Sequence, residues 1–402
     1  MISLADARAR VLADVAPLPA ETVALTHALG RICAVPVVAR LSQPPADVSA
    51  MDGYALRVAD GGLGARLRVI GAAPAGHPFG GVVVAGECVR IFTGGVLPEG
   101  ADAILIQENA VMLADDRIEL AEPVQPGRHI RAKGQDFAAG TEIIAAGTRL
   151  TPRHVALCAS ANHPWLAVHR RPRVAVLATG DEIALPGEPL PPGGIYGGNG
   201  PALVALVQAA GADATLLPLA LDDAKTLTAS VASLAGFDIL VTIGGASVGA
   251  HDLVQQALIA AGMKLDFWKI AMRPGKPLIF GRMGRQSVIG VPGNPVAALL
   301  CGALFLRPLI AAMQSINATP LPVEPARLGA PLAANDLRLD FMRAELRRTP
   351  DGELIATALQ RQDSAAQRDF THADALLLRA PFAPAAQAGD AVEVLRMSEI
   401  GL

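Results

Sequence analysis

Three apolar runs in the middle of the chain each end in small residues and then in carboxylates. RVAVLATGDEI leads to Thr179, Asp181 and Glu182, LLPLALDD to Asp222 and Asp223, and DILVTIGGASVGAHD to Ser247 and Asp252. In the third loop, Gly244, Gly245, Ser247 and Gly249 are the residue types that lay out a bed of backbone N–H groups for an anion. Positive charge follows in WKIAMRPGK, where Lys269, Arg273 and Lys276 surround the Pro274-Gly275 turn. Pro292-Gly293-Asn294-Pro295 then joins a strand to a helix whose first turn points free N–H groups forward. Carboxylates and a bound anion oppose each other: at about 4 Å two like unit charges repel by roughly 4 kcal/mol at an effective dielectric of about 20. A hard divalent cation with oxygen ligands, most simply Mg²⁺, reconciles them. The expected chemistry is metal-assisted reaction at the phosphates of a phosphorylated ligand.

Each acidic residue also has a plainer reading. Asp222 and Asp252 could cap helices, and Thr179 and Asp181 could form turns. Carboxylates after three successive strands are harder to assign to three unrelated caps. The lysines carry a similar signal, because the chain has five of them among 34 basic residues and three lie within 264–276. Lysine supplies a compact point charge where arginine supplies a planar fork, so the cluster marks a site for point charges. SAMDGYALR with Asp52, RIFTGGVLPEGADAIL with Thr93 and Asp102, and AKGQDF with Asp136 hold further polar groups that specify no reaction by themselves.

The elements that must position these loops follow from the pattern. From Arg173 strands alternate with helices. Asn199 is expected to cap a helix ending near Gly211, LLPLAL to be a second strand, and a further helix to start near Asp222. PLIFG and SVIGV read as further strands and PVAALLCGALFLRPLI as a closing helix. Strands that are continuously apolar predict a parallel sheet covered on both faces, and in such sheets ligands sit beyond the carboxyl ends of the strands. Residues 1–30 read as helices with Gly30 as a cap, and TPRHVALCASA resumes a helix with Thr151 as N-cap and Pro152 at its first position. The expected parts are a helical or linker domain of 1–45 with 149–172, an inserted β-rich module of 46–148, an α/β domain of 173–318, and a small C-terminal β module of 319–402 after the Pro-rich TPLPVEP linker.

At 402 residues the chain is long enough for two to four domains at roughly 100–200 residues each. A net charge of −3 and 3% aromatic residues argue against nucleic acid as a partner. Cys33, Cys88, Cys158 and Cys301 show no C-x-x-C spacing, which speaks against a zinc site or disulfide framework and for a reducing cytoplasm. MISLADARARVLADV is amphipathic and unlike a secretory signal, and no uncharged apolar stretch reaches the roughly 20 residues of a membrane span.

Taken in order, SAMDGYA, FTGGVLPEGADA, GQD, TGDEI, GGASVGAHD, WKIAMRPGKP and GVPGNPV resemble the molybdopterin molybdenumtransferases, the MoeA family that includes the E domain of gephyrin. The resemblance covers nearly the whole chain. It implies insertion of molybdenum from molybdate into adenylylated molybdopterin, with Mg²⁺-dependent loss of AMP, the final step of molybdenum cofactor biosynthesis. It implies a homodimer with a shared active site, in which a pterin-binding α/β domain faces the partner's inserted module, and an adenylyltransferase and molybdoenzyme acceptors as partners. By motif, the functional positions are Asp52, Thr93, Asp136, Glu182, Asp222, Asp252, Lys269, Arg273 and Lys276. Glu182, Asp222 and Asp252 are the implied metal ligands, Asp222 and Asp252 falling to metal or pterin recognition. Gly244, Gly245, Ser247, Gly249, the Pro292–Pro295 turn and Ser364 are implied to line the pterin pocket. Lys269, Arg273 and Lys276 fall to phosphate or molybdate, and Thr93 and Asp136 act from the partner subunit. Two departures stand out: Arg273 occupies a position that is lysine in some members, and RQDSAAQR replaces a Gly-Ser-Gly turn around Ser364. Alternative readings are a molybdopterin adenylyltransferase, which should need neither the inserted nor the C-terminal module, and a non-catalytic scaffold of the receptor-binding kind.

Overall fold

The computed structural model describes residues 1–220, 223–244, 253–317 and 319–402. Contacts divide the chain into two compact units, Met1–Glu21 with His169–Leu402, and Thr22–Val168.

The first unit is built on a six-stranded sheet. Arg173–Ala178 is flanked in parallel by Asp213–Leu216 and Ile239–Ile243, and Gln286–Val291 continues the parallel set. All residues of Ile239–Ile243 and Gln286–Val291 are buried, because alternate side chains enter two different cores. Val174, Val176, Val241 and Val291 join one core with Leu203, Leu206 and the helical run 295–313. Ala175, Leu177, Leu240 and Val288 join the other with Leu227, Val231 and Val254.

The sheet is not purely parallel. Pro277–Met283 lies antiparallel to Gln286–Val291, and Lys264–Lys269 lies antiparallel to Pro277–Met283 at the edge. The cause is local: only Gly284 and Arg285 separate paired Met283 and Gln286, and Gly284 at φ +59° supplies the positive dihedral of a two-residue hairpin. The second strand also starts earlier than LLPLAL, at Asp213, and ends at Leu216 before Pro218, which has no N–H for a ladder.

Residues 1–30 hold less helix than the periodicity predicts. One helix runs over Leu4–Leu12, with Ser3 accepting from the Asp6 amide at 3.0 Å, and buries Leu4, Ala7 and Val11. Pro17 and Pro19 follow, then a strand at Ala20–Ala24 and a single 3₁₀ turn at Leu25–His27. The closing helix is one apolar run of α-, π- and α-helical turns, Pro295–Cys301, Gly302–Leu306 and Arg307–Met313. The widened turn lies just before Pro308, which cannot donate to the preceding turn. This run is long and apolar enough to cross a membrane, yet 72% of it is buried, as expected of a core helix.

A closed barrel completes the first unit. Leu339–Arg348 pairs with both Leu354–Ala358 and Ala375–Arg379, while Val323–Leu328 and Ala391–Arg396 close the ring. Its first strand starts inside TPLPVEP, so the linker is shorter than the prolines suggest. The second unit carries a six-stranded sheet in the order Ala103–Ile106, Gly53–Leu56, Glu87–Ile91, Arg66–Ala73, Arg117–Leu120, Ala110–Met112. Its helix Pro152–Ser160 opens on a capping box between Thr151 and His154, with Pro152 in the first turn.

Candidate active site

Parallel register brings Ala178, Ile243 and Val291 into one row at the carboxyl edge of the sheet. Beyond that row lies a cavity of about 240 Å³ lined by Thr179, Glu182, Asn199, Leu216, Gly244 and Gly293 among others. Two glycines shape it. Gly244 sits at φ +87°, with room for a Cβ only 3.2 Å from the Thr179 carbonyl. At Gly180, φ +136°, a Cβ would fall 2.6 Å from a Glu182 carboxylate oxygen, so the position of that carboxylate depends on a residue without a side chain.

Asn199 is not a cap. The N-cap is Gly198, and the Asn199 amide instead donates to the Gly293 carbonyl at 2.6 Å. Asn294 in the same turn donates to the Ser364 hydroxyl at 2.7 Å, and the Val296 amide donates to the Ser364 carbonyl at 3.0 Å. Pro292 is buried beneath the turn, while Gly293 and Asn294 are exposed. In the loop around Ser364 the Asp363 carboxylate accepts from the Ala365 amide at 2.9 Å, a local turn that needs no glycine.

The lysine loop lies at the same edge. Lys269 ends the outermost strand opposite Pro277, two strand spacings or roughly 10 Å from the row of Val291. The Ile270 amide donates to the Lys276 carbonyl at 3.0 Å and closes the loop. Gly275, at φ +108°, packs so near Cys301 that a Cβ would lie 2.9 Å from its Sγ. The Lys269 ammonium stands 3.6 Å from the centre of the Trp268 ring. Arg273, expected with the lysines as an anion ligand, already has carboxylate partners. Its guanidinium is ion-paired to Asp340 and lies 3.6 Å from Asp336 and 3.4 Å from the Asn335 side-chain oxygen. Hydrogen bonding to Asp340 raises its pKa above the ordinary value.

Asp222, Gly245, Ser247, Gly249 and Asp252 lie outside the described residues. Of the implied metal ligands, Glu182 alone is described, and among the described residues no three His, Cys, Asp or Glu side chains converge. One carboxylate in a cavity beside a lysine loop still suits Mg²⁺, which keeps several waters and takes one or two protein carboxylates together with substrate phosphates.

In the second unit, Asp52 and Thr93 come together across 41 residues of sequence. One Asp52 oxygen accepts from both the Thr93 amide and the Thr93 hydroxyl, each at 2.8 Å. Ser49 fixes both loops: its amide donates to Gly95 and its carbonyl accepts from Gly94. The Thr93 backbone and side-chain bonds hold the Asp52 carboxyl below the usual range. Stability from this contact is therefore present above the ordinary carboxylate pKa and is lost as pH falls through the depressed one. Thr93→Ala removes the hydroxyl donor and keeps the amide, the larger cause, so the Asp52 carboxyl is expected to move only part of the way back up, read by carbon NMR of the titrating carboxyl; an unmoved titration would remove the hydroxyl from the account. Asp136 is exposed, its amide held by the Gln43 carbonyl at 3.0 Å. Asp102 is structural, accepting from the Val58 amide at 2.6 Å.

Comparison with known proteins gives the family. The α/β region matches a probable molybdopterin-binding domain over residues 175–312, which places the chain among proteins that carry such a domain. The flanks match the MoeA N-terminal region (domain I and II) over residues 2–162 and the MoeA C-terminal region (domain IV) over residues 325–397. The chain belongs to the MoeA family. It is 37% identical over 317 residues to a molybdopterin molybdenumtransferase of Haemophilus influenzae, covering 78% of each chain. It is 38% identical over 299 residues to that of a Nostoc species, covering 72% of this chain and 68% of the other. A crystal structure of a molybdopterin biosynthesis MoeA protein from Pyrococcus horikosii superposes with a TM-score of 0.86 at 30% identity, over 98% of this chain and 99% of that one.

Proposed function

We propose that the chain is a transferase that inserts molybdenum from molybdate into adenylylated molybdopterin and releases AMP, completing molybdenum cofactor biosynthesis. The observation that carries this reading is the cavity holding Glu182 and Thr179 at the carboxyl edge of the sheet, with the lysine loop at the same edge. Lys269 and Lys276 hold the oxyanions of phosphate or molybdate, as compact ammonium groups suit. The 292–295 turn and the loop from Gly244 bind the pterin nucleotide, and Ser364 supports that turn through Asn294. Glu182, with Asp222 and Asp252, would hold Mg²⁺, which when bound neutralises phosphate charge as AMP departs. The division into four parts, 1–45 with 149–172, 46–148, 173–318 and 319–402, belongs to this reading, as does a homodimer in which Asp52, Thr93 and Asp136 serve the partner's cavity. A cytoplasmic setting accords with four buried free thiols.

The test is to incubate the protein with molybdate, Mg²⁺ and adenylylated molybdopterin and to follow AMP and the reconstitution of an apo-molybdoenzyme. Both products are expected, while ATP with free molybdopterin should give neither pyrophosphate nor adenylylated molybdopterin; formation of those two from the second mixture would favour the adenylyltransferase instead. Excess chelator is expected to stop AMP release, and added Mg²⁺ to restore it. Full turnover with divalent ions stripped away would remove the metal from the reading.

A further inference from the structure

We propose that Arg273 is a positioning residue that latches the lysine loop to the C-terminal barrel through Asp340, and that it does not itself bind the substrate anion. The proposal rests on the function above and deepens it. The loop is held along both backbone edges. On one side Ile2 donates to the Lys269 carbonyl at 3.3 Å and accepts from the Ala271 amide at 2.8 Å. On the other, the Leu339 amide donates to the Ala271 carbonyl at 2.9 Å, and Met272–Arg273 pairs in parallel with Leu339–Asp340.

Charge completes the attachment. The Asp340 side chain is only 9% exposed, and a carboxylate so far from water needs a cation. Arg273 supplies it, while Asp336, held on Arg338 at 2.6 Å, presents a second carboxylate to the same guanidinium. To take up an oxyanion, Arg273 would have to share a charge already matched twice or abandon a buried carboxylate. Lys269 and Lys276 carry no such ion pair among the described contacts, and loop closure through Ile270 fixes their separation. Arginine suits the latch because its planar fork reaches two carboxylates at once.

Asp340→Asn separates the two roles by sign. If Arg273 touched the anion, removing its carboxylate partner would strengthen that contact and leave or lower the KM for adenylylated molybdopterin. A latch predicts the reverse. Asp340→Asn and Arg273→Gln should each raise that KM about tenfold with kcat within about threefold, the double variant should be no worse than the worse single, as for a pair in direct contact, and Arg273→Lys, which keeps the charge on Asp340 but loses the fork, should recover part of the loss. Amide hydrogen exchange at Ala271 and Leu339 should quicken in both single variants. A lowered or unchanged KM and unchanged exchange in Asp340→Asn, against a raised KM in Arg273→Gln, overturns the latch. Exchange judges the latch without turnover: if the parent protein released no AMP, the functional reading would fall while the exchange result still stood. Should Asp340→Asn fold poorly, exchange in Arg273→Gln and its partial reversal in Arg273→Lys decide the matter.

Discussion

Replacing Lys276 with alanine is expected to lower AMP release about 10²–10³-fold, the usual consequence of removing one preorganised charge from a site where anionic oxygens rearrange. The fold should hardly notice. Lys276 binds the loop through its backbone carbonyl, which accepts from Ile270 at 3.0 Å and survives the substitution, and its side chain is partly exposed. Stability should therefore stay within about 0.5 kcal/mol of the parent. Lys276→Arg keeps the charge but spreads it over a planar fork in place of a compact ammonium, so an intermediate loss is expected. Steady-state AMP release with thermal melts on the three proteins checks this. An alanine variant that releases AMP at the parent rate removes Lys276 from the chemistry.

What the residues alone reveal of this fold is set by how local each determinant is. The strands Arg173–Ala178, Ile239–Ile243 and Gln286–Val291 are continuous apolar runs, and the helix at 152 announces itself through Thr151, Pro152 and His154. Strand direction is less visible, since PLIFG reads the same either way; the only signal was the short Gly284-Arg285 connection, which forces a hairpin. The early helix fails beyond Leu12 because prolines at 17 and 19 outweigh the periodicity. The site behaves likewise. The carboxyl-edge loops can be found from the strands that precede them, and Glu182, Gly244 and the 292–295 turn do gather there. Asn199 on Gly293, Asn294 on Ser364 and Arg273 on Asp340 span 94, 70 and 67 residues, and no local pattern encodes such pairs. The C-terminal barrel consequently looks detached in sequence, although through Ser364 and Asp340 it braces both the turn and the lysine loop.

Gly53→Ala should be the most disruptive single methyl in the second unit. Gly53 opens the strand Gly53–Leu56, which is sandwiched between Glu87–Ile91 and Ala103–Ile106, and it pairs with Ile91 on one side and Ile106 on the other. A Cβ there would lie 2.0 Å from the Leu105 carbonyl oxygen, 2.9 Å from its carbon and 3.0 Å from the Ile106 Cα, all backbone atoms that cannot turn away. Overpacking against side chains costs about 1–3 kcal/mol, and against a paired backbone the upper end or beyond applies, so a loss of at least about 3 kcal/mol is expected. In a unit of this size that corresponds to a melting temperature lower by about 10 °C. The displacement would also reach function, because Asp52 is the preceding residue and its carbonyl accepts from the Gln107 amide at 3.0 Å. Separating the strands pulls Asp52 from Thr93. The first unit has cores of its own, so calorimetry should show an early transition for residues 22–168 followed by a later one near the parent value. Gly62→Ala, with no atom within 4 Å of the added methyl, is the matched control and should melt like the parent. If Gly53→Ala melts with that control, the close approach of Leu105 is not what reserves the position for glycine.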